Sequence, residues 1–210
     1  MISLEWNKDI AYIVGLIASD GCLQRDGRHV VFTSADLELV EKYRDTLGVS
    51  NKITKVSKRV QNRRPYFYIN TAQVEWYSFL YNSGLHPGKS FTLREINLPG
   101  HLFLHFFRGL YDGDGTFYSF RDIRYPRATV YYLEYASASK FFVEWLLAKL
   151  RELLGVKGMI KRGKGVYIIR FFKSDSRKII AGMYENSSGL FLNRKYAKIM
   201  NILSSDPVKK

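Results

Sequence analysis

The chain has 210 residues, a formal charge of +14, and 46% apolar and 15% aromatic residues, enough to bury a core and too apolar for a disordered tail. A basic surplus of that size points to a polyanionic partner, most often nucleic acid. One cysteine, Cys22, excludes an internal disulfide or a multi-Cys zinc site and suits a reducing compartment, and neither a signal peptide nor an apolar run of roughly 18 residues is visible, so the expectation is a soluble, intracellular protein (prokaryotic cytoplasm or organelle matrix) with no membrane partner.

Asn7 is a plausible N-cap for a helix running to Ser19, apolar nearly all round and therefore buried. Residues 21–34 read as two short strands around Asp26-Gly27, a hairpin signal. Residues 36–46 look helical and close at Gly48. A second hairpin spans 52–60 and 66–71, followed by a helix over 73–82 that ends at Gly84. Residues 86–100, with Pro87, Gly88, Pro99 and Gly100, form the natural linker. Beyond it the order recurs: a helix at 101–112, a hairpin at 115–136, a helix at 139–154, a hairpin at 156–172 around Gly163-Lys-Gly165, then helices near 174–184 and 193–203.

Two segments 94 residues apart carry the same pattern. They are Tyr12-Ile-Val-Gly-Leu-Ile-Ala-Ser-Asp20-Gly21 and Phe106-Phe-Arg-Gly-Leu-Tyr-Asp-Gly-Asp114-Gly115. Each is an apolar helix with small residues four apart, Gly15/Ser19 and Gly109/Gly113, then an acid, then a glycine. Small residues at that spacing share one helix face and let two backbones approach closely. If the helices pack there, Asp20 and Asp114 emerge side by side. Such acids sit against the negative end of the helix dipole at a cost of about 0.3–1 kcal/mol. Further matches follow in order: Val40-Glu41 with Val143-Glu144, Leu47-Gly-Val49 with Leu154-Gly-Val156, and Ser83-Gly-Leu85 with Ser188-Gly-Leu190. The reading is a duplicated αββαββα unit, residues 1–85 and 101–210. Each copy supplies a four-stranded antiparallel sheet in an α+β fold, with a pseudo-two-fold axis through the acidic helices.

The basic residues cluster on the expected hairpins. The first hairpin offers Gln24, Arg25, Arg28 and His29; the second offers Lys52, Thr54, Lys55, Lys58, Arg59, Gln61, Arg63, Arg64, Tyr66 and Tyr68. The second unit offers Arg121, Arg124, Tyr125 and Arg127, then Lys157, Lys161, Arg162 and Lys164. Alternation puts Lys52, Thr54 and Val56 on one strand face and Ile53, Lys55 and Ser57 on the other, without saying which face is open. Four basic hairpins over two sheets make a saddle for duplex DNA, whose major groove admits a β-ribbon.

Asp20 and Asp114 can hold a divalent cation, since hard cations such as Mg²⁺ take a few carboxylates plus water and phosphate oxygens. Lys89 follows the Ser-Gly-Leu repeat of the first unit by four residues and Lys195 that of the second by five, a matched pair for developing phosphate charge; Arg194, at the four-residue spacing, is a rival to Lys195. His101 and His105, four apart, lie among apolar residues and read as packing or helix-end groups; Trp6, Trp76 and Trp145 read as core or interface aromatics.

The two segments, Ile13-Val-Gly-Leu-Ile-Ala-Ser-Asp-Gly21 and Phe107-Arg-Gly-Leu-Tyr-Asp-Gly-Asp-Gly115, resemble the LAGLIDADG motif, and nearly the whole chain is similar to single-chain, two-motif LAGLIDADG homing endonucleases. The resemblance implies a monomeric nuclease that cuts both strands of a long asymmetric duplex DNA, using Mg²⁺ or Mn²⁺, with Ca²⁺ supporting binding alone. It places the metal-binding acids on Asp20 and Asp114, assisting backbone carbonyls on Ser19 and Gly113, and the basic pocket on Lys89 and Lys195. The family's frequent water-ordering glutamine has no counterpart in Phe32-Thr-Ser-Ala35 or Tyr135-Ala-Ser-Ala138. The sixth motif position is Asp112 in the second copy and Ala18 in the first. The alternative is an RNA maturase or a non-cleaving nucleic-acid-binding protein.

Overall fold

The structure, a computed structural model, describes residues 4–57, 65–121 and 129–206. Helix α1 (Lys8–Asp20) starts where expected. The Asn7 side-chain oxygen accepts from the N–H groups of Asp9 and Ile10, both at 2.9 Å, satisfying two donors that the helix leaves free. Every residue from Ile10 to Ala18 is buried, so α1 has no polar face and runs through the core.

The first half continues with β1 (Gly21–Leu23), β2 (His29–Ser34), α2 (Leu37–Thr46), β3 (Thr54–Val56), β4 (Tyr66–Ala72) and α3 (Val74–Asn82). The second half holds a 3-10 turn at Gly100–Leu102, then α4 (Phe103–Asp114), β5 (Gly115–Arg121), β6 (Thr129–Ser137), α5 (Lys140–Leu154), β7 (Met159–Arg162), β8 (Tyr167–Phe171), α6 (Lys173–Tyr184) and α7 (Asn193–Ser204). The helix expected at 101 therefore begins as a tightened turn. Each half forms a four-stranded antiparallel sheet, in the order β1-β2-β4-β3 and β5-β6-β8-β7. This is the expected α+β architecture of two four-stranded antiparallel sheets. β3 is shorter than the strand expected over 52–60, and residues 58–60 lie outside the described part.

Alternation decides which sheet face is covered. On β2, Val30, Phe32 and Ser34 are buried while His29, Val31 and Thr33 are half-buried; on β6, Tyr131, Leu133 and Tyr135 are buried. These buried rows meet the helices: the Phe32 ring lies 5.2 Å from that of Tyr43 on α2, and Tyr135 lies 6.3 Å from Phe142 on α5. The opposite rows stay open on both sheets.

The two halves meet through α1 and α4. A Cβ placed on Gly15 would fall 2.2 Å from the Phe106 carbonyl oxygen, and one on Gly109 would fall 2.1 Å from the Tyr12 carbonyl oxygen. Backbone thus packs on backbone, and hydrogen is the only side chain that fits at either position. A second close approach explains the glycine after each acid. Both helices run straight into a strand, and a Cβ on Gly21 or Gly115 would stand 2.7 Å from the Cα of Ile17 or Tyr111 respectively.

A Gly109→Ala substitution drives a methyl group into backbone that no rotamer change can move. It should lower stability by at least about 1–3 kcal/mol, the usual range for overpacking a close-packed core, and Gly15→Ala should do the same. Urea unfolding of each variant beside a Gly100→Ala control, whose position has nothing within 4 Å and no left-handed backbone, separates this contact from a general glycine effect.

Candidate active site

The close crossing carries the C-terminal ends of α1 and α4 to one place. A Cβ on Gly113 would lie 2.0 Å from Ser19 Oγ and 3.0 Å from Asp20 Oδ2, so the last turns of the two helices touch. Ser19 Oγ, set against Gly113, donates to the Leu16 carbonyl of its own helix at 3.0 Å. Asp20 and Asp114 therefore end adjacent helices, both with their side chains reaching solvent. Beside Asp20 lies a concavity of about 320 Å³ bounded also by Thr33, Ser34, Asp36, Tyr66 and Gly113.

The acids are hard to ionise together. Loss of water around Asp20 pushes its carboxyl up from 3.8 to about 7, helped by the charge of Asp114 and opposed by Lys89 and Lys195. Asp114 is also raised by desolvation, against the pull of Lys195 and Lys89. Because both residues still reach solvent, this is partial desolvation at the surface, not the sealing of groups in a core.

The two lysines converge on the same helix ends. Lys89, only 7% exposed, points its Nζ at the Ser19 carbonyl at 3.5 Å. Lys195 Nζ donates to the carbonyls of Tyr111 (2.7 Å), Gly113 (3.1 Å) and Gly115 (2.7 Å). Burial lowers both lysines, Lys195 to about 8, while the nearby acids hold them up. A cation among the last carbonyls of a helix opposes the dipole's negative end, which is where the two acids sit. Arg194, the rival by spacing, bounds the same concavity but is paired there: its Nε and Nη2 reach the Asp36 carboxylate at 2.6 and 2.5 Å.

What the motif did not reveal is how Lys195 gets there. Asp112 and Arg108, one turn apart on α4, are both buried, at 1% and 0% exposure. Asp112 Oδ2 accepts from the Tyr12 hydroxyl at 2.7 Å and from the Leu192 N–H at 2.8 Å. Arg108 Nε donates to the Leu190 carbonyl at 2.9 Å, and its guanidinium lies over the Tyr12 ring at 5.2 Å. Other contacts tie the same segment to the first half: Ser188 to Asp9, the Phe191 carbonyl to Lys42, and the Asn193 N–H to Glu38 at 3.1 Å. A charged pair four apart inside an apolar helix was the available signal for Arg108 and Asp112. His105 belongs to this network, its Nδ1 2.9 Å from Arg108 Nη1; burial and that cation push its pKa down to about 4. Among the described residues no three His, Cys, Asp or Glu side chains gather as a metal cage.

The hairpin residues distribute unevenly. Gln24, Arg25 and Arg28 are exposed around the β1–β2 turn, while His29 Nδ1 lies 2.5 Å from Asp26 Oδ2. Thr54 pairs with Tyr68 on the open face, and Tyr66 lies on the same face of β4. Lys55 pairs with Phe67, whose ring packs on the core, so Lys55 leaves β3 on the helix side. Lys52, Lys157, Arg162 and Lys164 are exposed. Lys161 is bound: with Arg170 it meets Glu134 at 2.9 and 2.5 Å on the open face of the second sheet. There, too, stand Tyr118, Phe120 and Tyr132, with Arg170 over the Tyr132 ring at 4.8 Å. Lys58, Arg59, Gln61, Arg63, Arg64, Arg124, Tyr125 and Arg127 lie outside the described residues, as does the side chain of Arg121.

Known proteins share this arrangement. Residues 7–79 match the model of the LAGLIDADG-like domain. Over 97% of the chain the fold is similar to full-length DUF199/WhiA from Thermatoga maritima, with a TM-score of 0.60 and 16% identity, and the chain spans 62% of that protein's length. Over 92% of the chain it is similar to the homing endonuclease I-WcaI bound to its DNA recognition sequence (TM-score 0.63, 14% identity, 88% of that chain). Over 86% it is similar to variants of the homing endonuclease I-DmoI (TM-score 0.56, 20% identity, 97% of that chain). I-DmoI structures include DNA complexes with Mn, with Ca and, for a variant, with Mg. No curated protein matches the sequence at a significant level. No helix among the described residues is long and apolar enough to cross a membrane. With the domain match confined to its first half and the two-repeat fold throughout, the chain is similar in fold to two-motif LAGLIDADG homing endonucleases.

Proposed function

We propose that this protein is a site-specific endonuclease that breaks both strands of a long, asymmetric DNA duplex by divalent-metal-dependent hydrolysis. The observation that carries the reading is the convergence of the two helix ends that bear Asp20 and Asp114, each with its own lysine at its last carbonyls. In this reading residues 1–85 and 101–210 are the two repeats, 86–100 links them, and a single chain supplies both halves of the site as a monomer.

The donor set fits a hard cation. Two carboxylates that resist ionising together are relieved by a shared divalent charge, and the Ser19 and Gly113 carbonyls add neutral oxygens beside them. A few carboxylates suit Mg²⁺ or Mn²⁺, which keep water and take phosphate oxygens from the substrate, whereas Ca²⁺ supports binding without cutting. Once bound, such a metal polarises the scissile phosphate and activates water. The chain's own part is to supply the Asp20 and Asp114 carboxylates that would hold the metal, and to place Lys89 and Lys195 where negative charge grows in the transition state. The open sheet faces and the exposed Gln24, Arg25, Arg28, Arg162 and Lys164 meet the flanking duplex. Support for the DNA partner comes from the +14 charge and from the DNA complexes of fold relatives.

A second reading, a nucleic-acid-binding protein that does not cut, draws on the equal extent of likeness to WhiA and on the Glu134 carboxylate. That group, held low by Lys161 and Arg170 against its burial, neutralises part of the open face.

Cleavage of a randomised duplex library with Mg²⁺, with Ca²⁺ as the binding-only arm, separates the two. Asp20→Asn and Asp114→Asn should each abolish double-strand cutting while sparing binding of the selected duplex; cutting at the wild-type rate by either variant would falsify the metal assignment. Lys195→Met should slow cutting by about 10²–10³-fold, the usual loss for one transition-state donor.

The raised carboxyl of Asp20 fixes a pH dependence. Between its ordinary 3.8 and about 7 the folded protein binds more protons than the unfolded chain, so metal-free stability falls as pH rises through that window. A cation competes with the same proton, so divalent affinity should weaken as pH drops below about 7. Carbon-detected NMR of the aspartate carboxyls should find one group titrating near 7 without metal, moving down in Asp114→Asn as a neighbouring negative charge is lost.

A further inference from the structure

Residues 188–195 arrive at the candidate site as a strap between the two halves, and one bond in it has no counterpart in the other half. Leu192 is the residue before α7, and its carbonyl accepts from the N–H groups of Lys195 and Tyr196, both at 3.0 Å. Whatever fixes Leu192 therefore fixes the first turn of α7 and the root of the Lys195 side chain. Its own N–H goes to the buried Asp112 carboxylate at 2.8 Å, which the Tyr12 hydroxyl clamps from α1.

We propose that Asp112 is a positioning residue for Lys195, seating its ammonium on the α4 carbonyls through the Leu192 N–H. The device serves one half-site only. At the matching motif position the first copy has Ala18, which has no polar group to offer. Lys89 correspondingly makes one long contact, 3.5 Å to Ser19, where Lys195 makes three of 2.7–3.1 Å. The two lysines thus differ in how firmly they are held. The seating stands on geometry alone, whereas its effect on the two DNA strands rests on the endonuclease reading above.

Competitive acetylation of lysines with acetic anhydride, read by mass spectrometry on the full chain, tests the seating without substrate or metal. Asp112→Ala should speed acetylation of Lys195 several-fold and leave Lys89 at the wild-type rate. Asp112→Asn, whose amide oxygen can still accept from Leu192, should keep Lys195 protected. An unchanged Lys195 in Asp112→Ala overturns the proposal, and so does equal acceleration of Lys89, which marks general loosening, or an Asn variant as exposed as the Ala one.

Should Asp112→Ala fail to fold, the pair Leu192→Pro and Leu192→Ala isolates the bond. Both lose the side chain and only proline loses the N–H, at a φ of −78° that proline adopts. Lys195 must then be more reactive in the proline variant than in the alanine variant, or the proposal falls.

On a cleaved duplex labelled on both strands, Asp112→Ala should slow one strand by about 10–100-fold, the scale on which supporting partners act. That strand should be the one slowed by Lys195→Met and not by Lys89→Met. Equal slowing of both strands overturns the one-sided role. Absence of cutting by the wild type counts against the endonuclease reading and leaves the acetylation result to decide the seating.

Discussion

Everything at the candidate site depends on how closely two helix backbones approach. At Gly15 and Gly109 the helices meet carbonyl to Cα, with no room for a methyl group. That contact is set by backbone, which has no rotamers to choose. The carboxylates that end the two helices inherit this stiffness. So do the tight exits at Gly21 and Gly115, which turn each chain into a strand before the next residue can drift. A pair of acids at like charge would separate if the scaffold allowed it. Here the scaffold does not.

The second constraint is electrostatic. Each helix presents its negative pole and an acid at the same end, an arrangement that repels itself twice. Lys89 and Lys195 return positive charge to those carbonyls, and burial makes them easier to deprotonate than ordinary lysines. The site is therefore built from groups that each sit away from their preferred ionisation state. Such placement is expected where charge is held ready for a polyanion.

Much of this was legible because the signals were local. The small-residue spacing, the acid and the following glycine occupy ten consecutive residues, and their recurrence 94 residues later is visible without a structure. The strands followed from alternation and turn glycines, and α7 and its lysine from the Ser-Gly-Leu repeat. The roles that stayed hidden belong to groups whose partners are far along the chain. Asp112 meets Leu192 across 80 residues, and Arg194 meets Asp36 across 158. Face was equally hidden for Lys55: an exposed three-residue edge strand carries too little alternation to say which side is covered, and only its pairing with Phe67 decides. Lys161 looked like a free cation because Glu134 lies on β6, on the far side of β8 in the sheet and distant in the sequence.

The strap at 188–195 has a meaning for how such a molecule can change. It belongs to the second half in sequence, yet Ser188, Phe191, Asn193 and Arg194 hold Asp9, Lys42, Glu38 and Asp36 of the first. A duplicated unit invites exchange of one half for another, as if the two were interchangeable cartridges. These four attachments make the halves a matched set, so recombination that swaps one must carry the complementary acids and bases along with it. Mutual fit stands here in place of modularity.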